Sequence, residues 1–325
     1  MNYLFLRRFC LLGLCSCFIF GARAQQTNEK FVQETRYLLA LPDGYGDDSA
    51  LRWPLVLFLH GSGESGSDLQ KVKMHGPPQL VEQGKKFPFM LISPQSDYPG
   101  GWDIEMLYKL LQHIKKNYRV DEKRIYLTGL SMGGFGTWAL AMKHPEEFAA
   151  LIPVCGGGDT TTAWKLRNIP IWCFHGAKDN VVPPSSSINL VNAAKRLNPD
   201  VRFTLYPEAT HNSWDLTYSN DSVYQWMLSQ TRFHYTEVTV QPTVLRTYTG
   251  TYLGPDGDTV KIILQNDALI AKPPGHVVSL RAAGDNLFFI EADKNMDIRF
   301  LKDKKGKTTD LLFLGDRSLL YRKIQ

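Results

Sequence analysis

A serine with glycines two residues before and two after it, Gly129-Leu130-Ser131-Met132-Gly133, lies in the stretch RIYLTGLSMGGFGTWALAMKHP from Arg124 to Pro145. Strand-forming residues lead into it and a helix-like pattern leads out, with Gly134 and Gly136 keeping the first helical turn slim. That context suits a nucleophile elbow, a sharp strand-to-helix turn that holds a serine hydroxyl exposed in a strained backbone conformation. The pentapeptide alone would also fit an ordinary glycine-rich turn, because a serine hydroxyl is inert near neutral pH without a base, and the base needs an orienting acid. The elbow geometry calls for the acid after a later strand and the histidine after the last one. IWCFHGAKDNVVP supplies Asp179 in a loop after a strand, and VRFTLYPEATHNSW supplies His211 after the next. Competing residues fit less well: Asp159 follows an earlier strand, Asp215 comes after the histidine, and Glu208 is too close to His211 to be placed independently. His175, at a strand end before Gly176, suits a structural hydrogen bond better than a general base.

Acyl transfer by such a trio builds an oxyanion that needs two backbone N–H donors, one after the serine and one from an early strand-to-helix loop. Met132 is placed for the first, and Ser62 in LHGSGESG for the second, with Gly61 and Gly63 permitting the backbone path. The same loop contains Gly61-x-Gly63-x-x-Gly66, a dinucleotide-binding pattern. Against that reading, Glu64 and Asp68 would set negative charge beside a pyrophosphate, no clean helix begins there, and Pro77-Pro78 interrupts soon after. No His-Glu-x-x-His or Cys-x-x-Cys spacing occurs, so a catalytic or structural zinc site is not expected. Asp256-Gly257-Asp258 resembles part of a calcium loop but lacks the rest of its ligands, and a hairpin turn explains it. Trp102 and Trp214 flank the chemistry-bearing segments; each reads equally as a wall for a ring-bearing substrate and as a half-buried core aromatic.

The elements that must position these groups are legible as alternation. Pro54–His60, Phe89–Pro94, Arg124–Leu127, Ala149–Cys155, Ile169–Phe174 and Val201–Tyr206 read as strands, most of them apolar throughout, as parallel strands covered on both faces should be. Gly101–Tyr118, Met132–Lys143, Ser185–Leu197 and Asp221–Ser229 carry apolar residues at helical spacing, with Asp221 and Ser222 as caps of the last. The expectation is an α/β domain, a mostly parallel central sheet with helices on both faces, over residues 25–235. The short Gly156-Gly157-Gly158 connection leaves no room for a large lid there. After a linker at 236–243 the helical period is lost, and Asp256-Gly257 between β-favouring runs signals a hairpin, so 244–325 is expected to be a C-terminal all-β domain.

Residues 1–24 read as a signal peptide: Arg7-Arg8, an apolar stretch from Phe9 to Phe20, and a small-residue cleavage site at Ala22-Arg23-Ala24. The apolar run is too short to span a bilayer, so a mature chain without a transmembrane segment, secreted or periplasmic, is expected. A lipoprotein cleaved near Cys15 or Cys17 fits less well. Three arginines and no acid leave with this segment, so the formal charge falls from +5 to +2 and gives no argument for nucleic acid. Cys155 and Cys173, which remain, lie in apolar runs and read as buried free thiols.

Together, LHGSGESGSDLQKVKMHGPPQLVEQG, the serine segment through VCGGGD, HGAKDNVVP and the histidine segment resemble secreted α/β-hydrolases of the polyhydroxybutyrate-depolymerase, feruloyl-esterase (carbohydrate esterase family 1-like) and predicted-peptidase group. The resemblance covers roughly Tyr37 to Leu228, and the β-rich tail is similar to small C-terminal domains found beside periplasmic hydrolases. It implies an α/β-hydrolase fold without cofactor and a serine at Ser131, an acid at Asp179 and a base at His211. The implied substrate is a carboxylic ester, with feruloyl or acetyl esters of plant polysaccharide in view. Two alternatives stand beside it: a serine peptidase on the same fold, and a non-catalytic protein that presents its β-domain to a glycan or envelope partner.

Overall fold

The computed structural model describes residues 34–291, 293–315 and 317–325, so the signal peptide expected at 1–24 lies outside the described residues. Its first layer is a sheet built from β1 (Tyr37–Ala40), β2 (Trp53–Leu59), β3 (Met90–Pro94), β4 (Val120–Leu130), β5 (Ala150–Val154), β6 (Ile171–Gly176) and β7 (Val201–Tyr206). The strand order is β1-β3-β2-β4-β5-β6-β7, with β1 antiparallel to β3 and every other pairing parallel. Alternate residues point to opposite faces of a strand, and on β2 both sets are apolar. Leu55, Leu57 and Leu59 pack into one core with α2 (Ile104–Asn117), α3 (Met132–Lys143) and α4 (Ser185–Lys195). Val56 and Phe58 pack into the other, toward α1 (Gly76–Glu82), α5 (Trp214–Tyr218) and α6 (Asp221–Leu228). Two covered faces are why these strands are continuous apolar runs.

Two local expectations are corrected. Pro77-Pro78 does not break the chain but opens α1, at first-turn positions where the missing N–H costs no intrahelical bond. The cap of α6 is Asn220, whose side chain accepts from the N–H of Ser222 at 3.0 Å, rather than Asp221 or Ser222. The edge strand β1 has only four half-buried residues, too few for a clear period.

The C-terminal part is a closed antiparallel barrel of β8 (Gly250–Leu253), β9 (Thr259–Gln265), β10 (Ala268–Lys272), β11 (Val278–Ala282), β12 (Leu287–Ile290), β13 (Asp293–Lys302), β14 (Thr308–Leu314) and β15 (Ser318–Lys323), closed where β8 pairs with β15 and β9. The Asp256-Gly257 turn joins β8 to β9, with Gly257 at φ +82°. Asn266 and Asp267, both at positive φ, form the tight β9–β10 hairpin that this residue pair favours. A short helix returns before the barrel, α7 (Pro242–Arg246), against the expectation of no further helix; Leu245 and Tyr248 bury beneath it.

Arg167, after the 3-10 helix Thr160–Leu166 that links β5 to β6, ties the barrel to the sheet domain. Its guanidinium donates to Asp297 Oδ1 at 2.9 Å and to the Leu314 carbonyl at 3.1 Å. Asp297 is fully buried and also accepts from Tyr235 Oη and, at 3.0 Å, from Arg299. Burial alone would raise its carboxyl, but Arg167, Tyr235 and Arg299 outweigh that and hold it below the usual carboxylate range. Tyr235 stacks on Phe289 of β12, with ring centroids 4.7 Å apart, to complete the joint.

Candidate active site

Parallel strands deliver their carboxyl ends to one edge of the sheet. Ser131 follows β4, Asp179 follows β6, His211 follows β7 and Ser62 follows β2. Ser131 has φ +52° and ψ −117°, a conformation that a side-chain-bearing residue adopts only under local strain. The turn is held because the Ser131 N–H donates to the Val154 carbonyl at 3.0 Å and its carbonyl accepts from Phe135 N–H at 3.1 Å. The glycines have a steric cause: a Cβ on Gly133 would run into the backbone carbonyl of Leu59, and one on Gly129 into the backbone of Gly133.

The three groups paired from sequence order come together in a row. His211 Nε2 lies 3.0 Å from Ser131 Oγ, and His211 Nδ1 lies 2.8 Å from Asp179 Oδ2. Asp179 Oδ1 accepts from the N–H groups of Val181 and Val182, each at 2.9 Å. Burial pushes this carboxyl up, while His211 and the two N–H groups pull it down further, so it stays below the usual carboxylate range. An ionised carboxylate only accepts hydrogen bonds, so Nδ1 carries the imidazole hydrogen and Nε2 faces the serine hydroxyl with its lone pair.

His175 does more than a generic structural bond suggested. Fully buried, it sets Nε2 3.1 Å from Asp179 Oδ2 and 3.0 Å from the Val182 carbonyl, while Nδ1 lies 2.7 Å from Ser187 Oγ. Both neighbours of Nε2 are acceptors, so Nε2 carries hydrogen and braces the carboxylate and its loop. Its position at a strand end, four residues before the acid, was the available sequence signal. Cys155 was not anticipated at the site. Its sulfur lies within 4.8 Å of ligand atoms of Asp179 and His211, a grouping a metal ion could in principle share. Burial pushes the thiol up to about 12, and the other two groups already bond to each other. Cys155 and Cys173 are both free and buried, as expected.

Ser62 opens the 3-10 turn Ser62–Glu64 and Met132 opens α3. The first N–H groups of a helix have no acceptor within it, so both are free to face a ligand. A Cβ on Gly61 would sit 3.6 Å from Ser131 Cβ, which puts this loop beside the serine. His60 orients it. Its Nε2 accepts from Ser96 N–H at 3.0 Å, and its Nδ1 donates to the Gly61 carbonyl at 2.5 Å. Burial lowers the His60 pKa, in keeping with the single neutral tautomer those partners require. In a trans peptide the carbonyl and the next N–H point opposite ways, so anchoring Gly61 O turns Ser62 N–H away from His60. Glu64, buried, accepts from Gly61 N–H at 2.8 Å. The Gly61-Gly63-Gly66 pattern thus closes on a carboxyl group, unlike a cradle for pyrophosphate.

A cavity of about 420 Å³ adjoins Ser62 and Met132, walled by Trp102, Ile104 and Phe135. Trp102 packs against His60 at 4.7 Å. Trp214 lies elsewhere, edge-on to His211 at 5.3 Å and tilted to His75 at 5.4 Å.

Residues 102–222 match the Dienelactone hydrolase family. The chain is 31% identical over 137 residues to a bifunctional acetylxylan esterase/xylanase of Neocallimastix patriciarum, covering 40% of this chain and 20% of that protein. It is 25% identical over 161 residues to a probable feruloyl esterase C of Aspergillus terreus, covering 48% and 59%. Among solved structures, a thermostable esterase is 35% identical with a TM-score of 0.52, over 60% of this chain and 59% of that one. The chain therefore spans less than two thirds of each of these relatives. The resemblance to esterases of the α/β-hydrolase type, drawn from the motifs, is borne out.

Proposed function

We propose that this protein is a serine carboxylesterase that works through an acyl-enzyme. The observation carrying the reading is the row from Ser131 Oγ through His211 to Asp179, at 3.0 and 2.8 Å. Ser131 Oγ attacks the ester carbonyl carbon as His211 Nε2 takes its proton, and the carbonyl electron pair moves onto oxygen. The N–H groups of Ser62 and Met132 hold that oxyanion. Collapse of the intermediate breaks the bond to the alkoxy oxygen, which leaves as alcohol with the proton from His211. Water, deprotonated by His211, then attacks the acyl carbon and releases the acid, returning the proton to Ser131. No step calls for a cofactor.

The aromatic wall of the cavity beside Ser62 and Met132 suits an acyl group with a ring, and the names of the relatives point to feruloyl or acetyl esters on polysaccharide. In this reading Trp102 flanks the acyl group and Trp214 the alcohol side. Residues 1–24 act as an export signal, which would deliver the enzyme to such polymers outside the cytoplasm; no described helix is long and apolar enough to cross a membrane. The sheet domain is taken as 25–235 and the β-domain as 244–325, with 236–243 between them.

The test compares p-nitrophenyl acetate, feruloylated xylan fragments and a peptide panel, with wild type and Ser131→Ala. Ester turnover falling on the order of 10⁶-fold in the variant is expected, together with fluorophosphonate labelling of wild type alone. Peptide cleavage exceeding ester cleavage would make the protein a peptidase, and an unlabelled wild-type chain would return it to a binding role.

A further inference from the structure

An eight-stranded barrel has an interior just wide enough to be filled by its own side chains or to hold one small ligand. This barrel does one at each end. Near α7, aromatic side chains fill the lumen: Tyr248 stacks on Phe300 at 4.3 Å and meets Phe288 edge-on at 5.9 Å, while its hydroxyl donates to the Asp285 carbonyl at 2.8 Å. Toward the opposite end the inward positions shrink to Val260, Ala271 and Ile298, and a cavity of about 430 Å³ opens among them, with Phe313 and Leu319 on its wall. That volume lies within the roughly 300–1,000 Å³ of small-molecule pockets.

The cavity is apolar in its depth and cationic at its mouth. His276, on the β10–β11 connection, and Arg317, on the β14–β15 connection, both line it and are both exposed. Neither forms an ion pair among the described residues. No acid is among the described lining residues; Asp258, nearby, accepts from the lining Tyr321 Oη at 2.7 Å. The ester chemistry at Ser131 uses none of these groups.

We propose that the barrel binds one apolar monocarboxylate, its hydrocarbon body in the lumen and its carboxylate at Arg317 with His276. Arginine suits this role because its planar fork of N–H donors matches a carboxylate. An aliphatic fatty acid and the aromatic acid that ester cleavage would release share this chemistry.

Isothermal titration of the full chain, its Ser131 first blocked by a fluorophosphonate, tests the site with decanoate, ferulate and decanol. The block keeps acids out of the active site, so the outcome does not depend on the reading of Ser131; a chain that resists labelling is titrated untreated. One decanoate or ferulate per chain is expected, and the tighter of the two names the source. Arg317→Gln, at an exposed rim position, should weaken the acid about tenfold and leave decanol unchanged. Leu319→Trp, which fills the lumen, should abolish both, and circular dichroism checks that it folds. If Leu319→Trp does not fold, the Arg317→Gln contrast between acid and alcohol decides alone. The proposal is overturned if no acid binds at millimolar concentration, or if Arg317→Gln weakens neither acid.

Discussion

Replacing Asp179 by asparagine would reverse the proton on His211 while keeping both backbone bonds of the loop. In the native site Oδ1 accepts two backbone N–H groups, from Val181 and Val182, while Oδ2 faces His211 Nδ1 at 2.8 Å. An asparagine must keep its carbonyl oxygen at the Oδ1 position, because an NH₂ there would oppose two donors. Its NH₂ therefore takes the Oδ2 position and donates to His211 Nδ1, and the His175 Nε2–H that faced Oδ2 keeps only the Val182 carbonyl. Nδ1 becomes the acceptor, Nε2 carries the hydrogen, and that hydrogen points at Ser131 Oγ, where a lone pair is required. The same exchange in a serine triad lowers kcat about 10⁴-fold, which corresponds to roughly 5.4 kcal/mol of transition-state stabilisation. The assay is steady-state hydrolysis of p-nitrophenyl acetate at neutral pH, read beside thermal unfolding. The fall should appear in kcat with KM nearly constant, and the unfolding midpoint should move by only a few degrees, since both backbone bonds persist. Retention of wild-type kcat within tenfold by a folded Asp179→Asn protein would sink the tautomer argument, and with it the role given to Asp179.

The remaining predictions concern supports of the site and the joint. His60→Phe keeps a ring in the core but releases the Gly61 carbonyl, and should lower kcat about 10–100-fold with little change in KM, less than the loss of a whole oxyanion donor; an unchanged kcat would mean that the Gly61–Ser62 peptide is held by other contacts. Gly133→Ala drives a Cβ into the Leu59 carbonyl and should cost at least about 3 kcal/mol, seen as a lower melting temperature or loss of soluble protein. Asp297→Asn removes the ionic acceptor at 2.9 Å from the buried Arg167, at a cost of about 1.5–3 kcal/mol, or a melting temperature lower by roughly 3–12 °C. Because Asp297 is held below its ordinary 3.8, its stabilisation is present above that value and lost as pH falls through the lower folded value. Wild-type stability should therefore drop below about pH 4, and Asp297→Asn should flatten part of that drop; Asp179, depressed in the same sense, accounts for another part.

Much of the sheet domain could be read from the chain because both faces of its strands are covered, which writes each strand as an apolar run. Where that cause is absent, the reading fails. β1 is four half-buried residues at an edge, and α1 begins on prolines that look like breakers until the helix start is known. In the β-rich tail, alternation and the Asp256-Gly257 turn told of strands but not of closure, which depends on β8 pairing with β15, some 70 residues away.

The types and order of the groups proposed to react belong to the sequence alone. Ser131, Asp179 and His211 each follow a strand of one parallel sheet, and such strands end at the same edge whatever their side chains are. The supports belong to the tertiary structure. His60 reaches Ser96 and Arg167 reaches Asp297 across 36 and 130 residues of chain, separations over which no local period carries information. The barrel divides in the same way: alternation tells which residues face inward, but whether they fill the lumen or leave a cavity depends on the volumes that meet there once the sheet has closed.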